Sequence, residues 1–282
     1  MKYLIAGASG QLANAFITRF QRDETAFEAP PESVFDITNA DAVEQTIERA
    51  KPDIILNCAA YNAVDAAEEN PAPAFSINAD AVATLATAAA RQGALLVHYG
   101  SDYVFDGKTD TPYTEDAPAN PLNQYGKSKF AGERAALETA DEALVLRVSW
   151  VYGDGTQNFL HKMMQWSKGR DSLKIVHDQI SVPTYTADIV EYTLKAVEKG
   201  LRGLFHLTNS GYAPRCEVAE YFFKSLRRDM QIIPVNSDEF PSPVQRPRFS
   251  AMSNAAISEK IGCEIPSWQN ALERFVKNLE LQ

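Results

Sequence analysis

Tyr125 and Lys129 stand four residues apart in the string NPLNQYGKSKFAGE, and among eleven tyrosines only Tyr125 has a lysine at that spacing. On a helix, such positions share a face one turn apart. An ammonium beside a phenol favours the phenolate, so the pairing predicts a tyrosine with a lowered pKa that exchanges a proton near neutral pH. Ser101 follows the apolar run 94–99 and Gly100 and supplies a second hydroxyl. A phenol and a serine hydroxyl can share one carbonyl oxygen, the serine orienting it and the phenol protonating it as a hydride arrives.

Holding three residues from distant segments needs a rigid scaffold, and the chain opens with one. In MKYLIAGASGQL a short apolar run stops at Gly7, and Leu12, Ala13, Phe16 and Ile17 resume at helical spacing. This reads as strand, glycine turn, helix. Gly7 permits the tight bend, Gly10 lets backbone approach a pyrophosphate, and the helix N terminus aims free N–H groups at its charge. Further strands are expected at 54–60, 94–99 and 143–150, with helices at 41–50, 78–92 and 123–140; Pro30 and Pro31 would interrupt a long second strand. Thr38 or Asn39 can cap the second helix, and Gly93 closes the alanine-rich one. The alternation predicts a doubly wound, Rossmann-like α/β parallel sheet, and in such sheets ligands sit beyond the carboxyl ends of the strands, where Ser101 lies. After residue 150 the alternation fades: helices at 158–168 and 187–198 and strands at 173–176 and 204–207. We expect residues 1–150, with about 185–203, to form a dinucleotide-binding domain, and 151–184 with 204–282 a smaller mixed α/β substrate lobe built mainly from the C-terminal part.

The 282 residues carry a net charge of −10 without blocks of like charge, which disfavours nucleic acid and anionic membrane surfaces as partners. Three scattered cysteines and four unpaired histidines show no metal spacing, no metal ligand is assigned, and a reducing cytoplasm fits. The apolar stretch before Gly7 is too short for a signal peptide, and no run of about 18 apolar residues occurs.

Read together, GASGQL, NCAAYNAVD, GSDYVFDG, NPLNQYGKSKFAGE, RVSWVYG, DQISVPTYTADI and RPRFS resemble the extended short-chain dehydrogenase/reductases, and within them the dTDP-4-dehydrorhamnose reductase family, along nearly the whole chain. The resemblance implies reduction of the 4-keto group of dTDP-4-dehydro-L-rhamnose with a nicotinamide cofactor, giving dTDP-L-rhamnose for cell-surface polysaccharide. It implies Tyr125 as proton donor, Lys129 as its pKa-lowering, ribose-binding partner and Ser101 in a place usually held by threonine. Gly10, Gln11 and Leu12 would meet the pyrophosphate, with Gly7 forming the turn; Asp36 and Ile37 would flank the adenine. Ala59, Ala60, Tyr61, Asn62 and Tyr99 would line the ribose and nicotinamide path, and Asp102 and Trp150 match positions that hold the sugar nucleotide. Magnesium is associated with some relatives, and nothing in the spacing here locates a site for it. Dimerisation is common in the superfamily, which leaves a homodimer open.

Three departures stand out, the last two in the presumed substrate lobe: Gly100-Ser101 for Ser-Thr, which keeps the hydroxyl, Ser181-Val182 for Gly-Ser, and the loss near Arg215 of a usual tryptophan. No basic residue occurs from Asp23 through Glu48, so nothing there awaits a 2′-phosphate; NADH is favoured over NADPH, with Glu28 or Glu32 as acceptor for a ribose hydroxyl. For the diphosphate of a sugar nucleotide, Arg246 and Arg248 are the first candidates and Arg215 a weaker one. A sugar-nucleotide dehydratase would want an Asp-Glu pair, whereas Tyr103 follows Asp102. An epimerase, a reductase of another 4-keto sugar nucleotide and a non-catalytic dinucleotide-binding regulatory subunit are the remaining alternatives.

Overall fold

The computed structural model describes residues 1–140 and 142–279; the last three residues of the expected lobe lie outside that range. The first half of the chain alternates as its apolar runs require: β1 (Tyr3–Ala6), α1 (Gln11–Arg22), β2 (Phe27–Glu28), α2 (Ala40–Ala50), β3 (Ile54–Asn57), α3 (Val64–Glu69), α4 (Ala72–Phe75), α5 (Ala81–Gln92), β4 (Leu95–Ser101), α6 (Gln124–Thr139) and β5 (Ala143–Val148). The second half comprises β6 (Val151–Tyr152), α7 (Phe159–Trp166), β7 (Ser172–Val176), β8 (Ile180–Ser181), β9 (Thr184–Tyr185), α8 (Thr186–Glu198), β10 (Gly203–His206), β11 (Ala213–Pro214), α9 (Arg215–Ser225), β12 (Gln231–Val235), α10 (Ala255–Ile261) and α11 (Trp268–Leu279).

Six parallel strands form one sheet in the order β10-β5-β4-β3-β1-β2. Both faces are buried, so neighbouring residues of one strand serve different cores. Ile5, Leu56, Val97 and Leu146 pack with α1, α8 and α10, whereas Leu4, Ile55, Leu96 and Val145 pack with α2, α5 and α6. As the two prolines require, β2 is only two residues long and lies at the sheet edge. Asn39 caps α2 by accepting the Ala42 N–H.

Three elements depart from the sequence reading. The helix expected at 78–92 starts earlier and carries a π turn at Ser76–Asp80 before α5. The wider turn turns buried Asn78 inward, where its amide exchanges hydrogen bonds with the Tyr61 backbone (2.9 and 3.0 Å) and donates to the Ser128 hydroxyl (3.0 Å). In addition, β10 pairs with β5 in the main sheet and α10 packs in the core shared with α1 and α8, so both sit outside the lobe to which their place in the chain assigns them.

A separate core belongs to the lobe: Tyr152, Leu173, Tyr185, Phe222, Phe223, Trp268, Leu272 and Phe275. Its strands form three pairs, β6 with β9, β7 with β12 and β8 with β11. No helix among the described residues is long and apolar enough to cross a membrane.

Candidate active site

Between the carboxyl ends of the sheet and the lobe lies a cleft of about 1900 Å³ lined by residues from both, Ser101, Tyr125 and Lys129 among them. Strand β4 ends at Ser101. Helix α6 begins nearby because Asn123 caps it, its side chain accepting the Gly126 N–H at 2.8 Å. Its first turn can approach β4 only because residue 126 is glycine: a Cβ there would lie 2.3 Å from the Tyr103 carbonyl oxygen. The Tyr103 and Tyr125 rings meet edge to face at 5.6 Å, and the Tyr125 hydroxyl donates to Asn62 Oδ1 at 3.3 Å.

The electrostatics reverse one expectation. Burial pushes the Tyr125 phenol up from its ordinary value, against the pull of the neighbouring Ser101 hydroxyl, and the carboxylate of Asp102 adds to the rise. Lys129 is not among the groups that act on it; its buried ammonium donates to the Tyr99 carbonyl at 2.6 Å. Desolvation lowers Lys129 itself to about 8, partly offset by Glu133.

Beneath these residues lies a buried ion pair that the sequence reading missed. Arg147 on β5 grips Glu133 on α6 through Nε (3.0 and 3.2 Å) and Nη2 (2.9 Å), with the two side chains 4% and 2% exposed. The carboxylate fills the place where residue 100 would carry a Cβ, which would stand 2.2 Å from Glu133 Oε1. Gly100 and the ion pair are therefore two halves of one packing solution.

Asp102, also buried, is held by serines from separate segments. Its Oδ2 accepts from Ser250 (2.6 Å) and Ser181 (3.0 Å), its Oδ1 accepts from Ser101 (3.3 Å), and Ser149 bonds Ser181 at 2.5 Å. Burial raises the carboxyl above its ordinary value, with Ser250, Ser181 and Ser149 opposing. Next to it, Trp150 adopts φ +39°, a left-handed conformation costly for a bulky side chain, and its ring faces Arg215 at 4.0 Å.

At the other end of the cleft, Gly7 has φ +73°, and a Cβ there would stand 2.6 Å from the Ala59 nitrogen. The turn thus lies tight against the chain leaving β3. Gly10 precedes α1 without a side-chain cap, and the first turn of α1 contains no acid. Its N–H groups and the positive helix end suit a pyrophosphate, so these residues fit a dinucleotide. Gly10, Gln11, Leu12, Ala59, Ala60, Asn62 and Tyr99 line the cleft, as do Asp102, Trp150, Arg246 and Arg248. The Gln11 side chain bridges to the lobe, donating to the Val151 carbonyl (3.3 Å) and accepting from Asn158 (3.3 Å). Tyr61 lies off the lining with its backbone held by Asn78. Asp36 and Ile37 are likewise outside it: Asp36 accepts from the Thr38 N–H and hydroxyl at 2.9 and 2.7 Å, and Ile37 is buried in the core.

Of the expected anion-binding arginines, Arg246 is committed to Asp65 (2.8 and 2.9 Å) and Ser242 (2.8 Å), and Arg248 is exposed. Arg215, ranked below them by sequence, is the half-buried cation against the cleft aromatics. Its position directly after Pro214, opening a helix, was the signal available.

Comparison with known proteins accords with this architecture. The family described as RmlD substrate binding domain matches residues 1–281. The dTDP-4-dehydrorhamnose reductase of Burkholderia thailandensis is 36% identical, with 99% of each chain covered, and that of Mycobacterium tuberculosis is 37% identical over 96% of this chain and 91% of its own. The crystal structure of a Bacillus anthracis dTDP-4-dehydrorhamnose reductase in complex with NADP superposes with a TM-score of 0.95 at 34% identity, covering 98% of this chain and 99% of that one. The glycine turn, the Ser101, Tyr125 and Lys129 cluster and these full-length matches place the chain in the dTDP-4-dehydrorhamnose reductase family of extended short-chain dehydrogenase/reductases.

Proposed function

We propose that the protein reduces the 4-keto group of dTDP-4-dehydro-L-rhamnose to give dTDP-L-rhamnose. The observation that carries this reading is the meeting of Ser101, Tyr125 and Lys129 at the carboxyl end of β4, facing a cleft that also contains the uncapped N terminus of α1. Gly10, Gln11 and Leu12 would hold the cofactor pyrophosphate, and Lys129 its nicotinamide ribose; when bound, the reduced nicotinamide supplies hydride to C4.

Ser101 orients the ketone oxygen, and Tyr125 protonates it. The raised phenol pKa suits that role. The hydroxyl stays protonated in the resting site, and transfer runs downhill only as the ketone oxygen acquires alkoxide character, an alkoxide being a stronger base than a phenolate. Asn62 accepts from the phenol and fixes its direction. Asp102 and Trp150 border the sugar.

NADH is the favoured donor in this reading and NADPH an accepted one. Glu28 ends β2, where an adenine ribose hydroxyl would be met. Lys2 at 2.7 Å and Arg49 at 3.8 Å already balance its charge, so the bias is modest.

The test is oxidation of NADH and, separately, NADPH with enzymatically generated dTDP-4-dehydro-L-rhamnose, with identification of the product. Wild type should turn over both, NADH with the larger kcat/KM, and Tyr125→Phe should lose about 100-fold or more, in line with removal of a general acid. Binding without turnover by wild type would refute the reading, as would full activity in Tyr125→Phe.

A further inference from the structure

The cations of the cleft differ in what they are committed to. Arg246 is bidentate on Asp65, Lys174 pairs with Glu239 at 2.8 Å, Lys108 lies 3.8 Å from Asp106, and Lys129 is spent on the Tyr99 carbonyl. Lys162, Arg170 and Arg248 are exposed. Arg215 alone combines partial burial with a guanidinium that no ion pair engages among the described residues; its side-chain hydrogen bonds go to neutral groups, from Nε to Gln179 Oε1 at 3.3 Å and to the Tyr103 hydroxyl.

Two features show that this charge is placed for a ligand. The guanidinium lies over the Trp150 ring at 4.0 Å and within 5.1 Å of the Phe159 centroid, two aromatic contacts that hold it at the wall of the cleft, which Arg215 lines. It is also the first residue of α9, whose first turn carries Glu217 and whose leading N–H, that of Arg215, is bonded to the Gln179 carbonyl at 3.2 Å. A cation at the positive end of a helix dipole is electrostatically misplaced for stability, and an oxyanion meeting the guanidinium from the cleft offsets that. Asp102, Tyr103 and Arg246 are the charged or ionisable neighbours, and burial outweighs the pull of Tyr103 and Asp102 in lowering the Arg215 pKa.

We propose that Arg215 clamps the diphosphate of a nucleotide-activated substrate, with Trp150 and Phe159 as the platform that holds the guanidinium in place. The inference rests on the nucleotide-sugar reading and names the group that grips its charged part. It also gives the strained Trp150 backbone a use: the left-handed turn presents the ring to the arginine.

The test is isothermal titration of the whole protein with dTDP, UDP, GDP and thymidine, alongside steady-state kinetics, for wild type, Arg215→Met, Arg215→Lys and Arg246→Gln. Methionine keeps an unbranched stem over Trp150 while removing the charge. Arg215→Met should weaken dTDP about tenfold to a hundredfold, the range for losing a hydrogen bond to a charged group, and thymidine less than threefold. Arg215→Lys should fall between, and the kinetic loss should appear mainly in KM. Unchanged dTDP affinity in Arg215→Met, equal loss for thymidine, or a loss confined to Arg246→Gln would overturn the clamp. Wild-type protein that binds a nucleoside diphosphate through Arg215 without reducing dTDP-4-dehydro-L-rhamnose would remove the proposed reaction and keep the clamp; failure to bind any nucleoside diphosphate would remove both.

Discussion

Arg147→Met isolates the contribution of the ion pair between β5 and α6. In the folded protein it leaves the Glu133 carboxylate buried without its guanidinium, in a site that already raises its pKa through desolvation. Removing one partner of a buried pair costs about 3–5 kcal/mol, a large share of the roughly 5–15 kcal/mol that holds a typical protein folded. At about 2–4 °C per kcal/mol for chains approaching this size, the melting temperature should fall by roughly 6–20 °C. The double variant Glu133→Gln/Arg147→Met removes both charges at similar volume and should recover most of the loss. Urea unfolding followed by tryptophan fluorescence, completed as a double-mutant cycle, measures the coupling directly. A loss below about 1 kcal/mol in the single variant, or a double variant whose loss equals the sum of the two singles, would refute the argument that these charges form one buried unit.

The pH dependence follows from Lys129. With its folded pKa near 8, kcat/KM for the cofactor, which reports the free enzyme, should fall above about pH 8, and Glu133→Gln should move that limb to lower pH because Glu133 raises the lysine. The stability sign is the opposite: between about 8 and the unfolded value near 10.5 the unfolded chain binds the extra proton, so the burial penalty, complete below 8, is relieved as pH rises, and the difference between wild type and Lys129→Met should narrow or reverse across that window. Gly7→Ala should cost at least about 2 kcal/mol from the left-handed backbone and the contact with Ala59, and weaken cofactor binding; thermal melts and NADH fluorescence titration check both.

The sheet was legible because strands buried on both faces leave continuous apolar runs, and the glycine turn because Gly7 answers a local backbone demand. Tyr125 and Lys129 were legible because one helix holds both. What sequence could not supply depends on residues brought together from afar. Glu133 and Arg147 look like ordinary surface charges until α6 is laid on β5, and Ser149, Ser181 and Ser250 acquire meaning only around Asp102. The direction of the Tyr125 shift depends on the fold for the same reason: spacing shows that a lysine is near, not that the phenol is buried beside Asp102. Arg246 looked available until Asp65, far away in the chain, was found holding it.

The placement of β10 and α10 on the sheet, each after an excursion through the lobe, bears on how such a protein can diversify. The backbone weaves between the two layers, and neither is a contiguous stretch of gene. A fragment ending near residue 150 would lack α8, β10 and α10, uncovering the apolar side of α1 and the flank of β5. The lobe therefore cannot be exchanged wholesale by recombination. New preferences must be written one side chain at a time on a fixed framework, and a single arginine at the start of a lobe helix is the scale of edit this architecture permits.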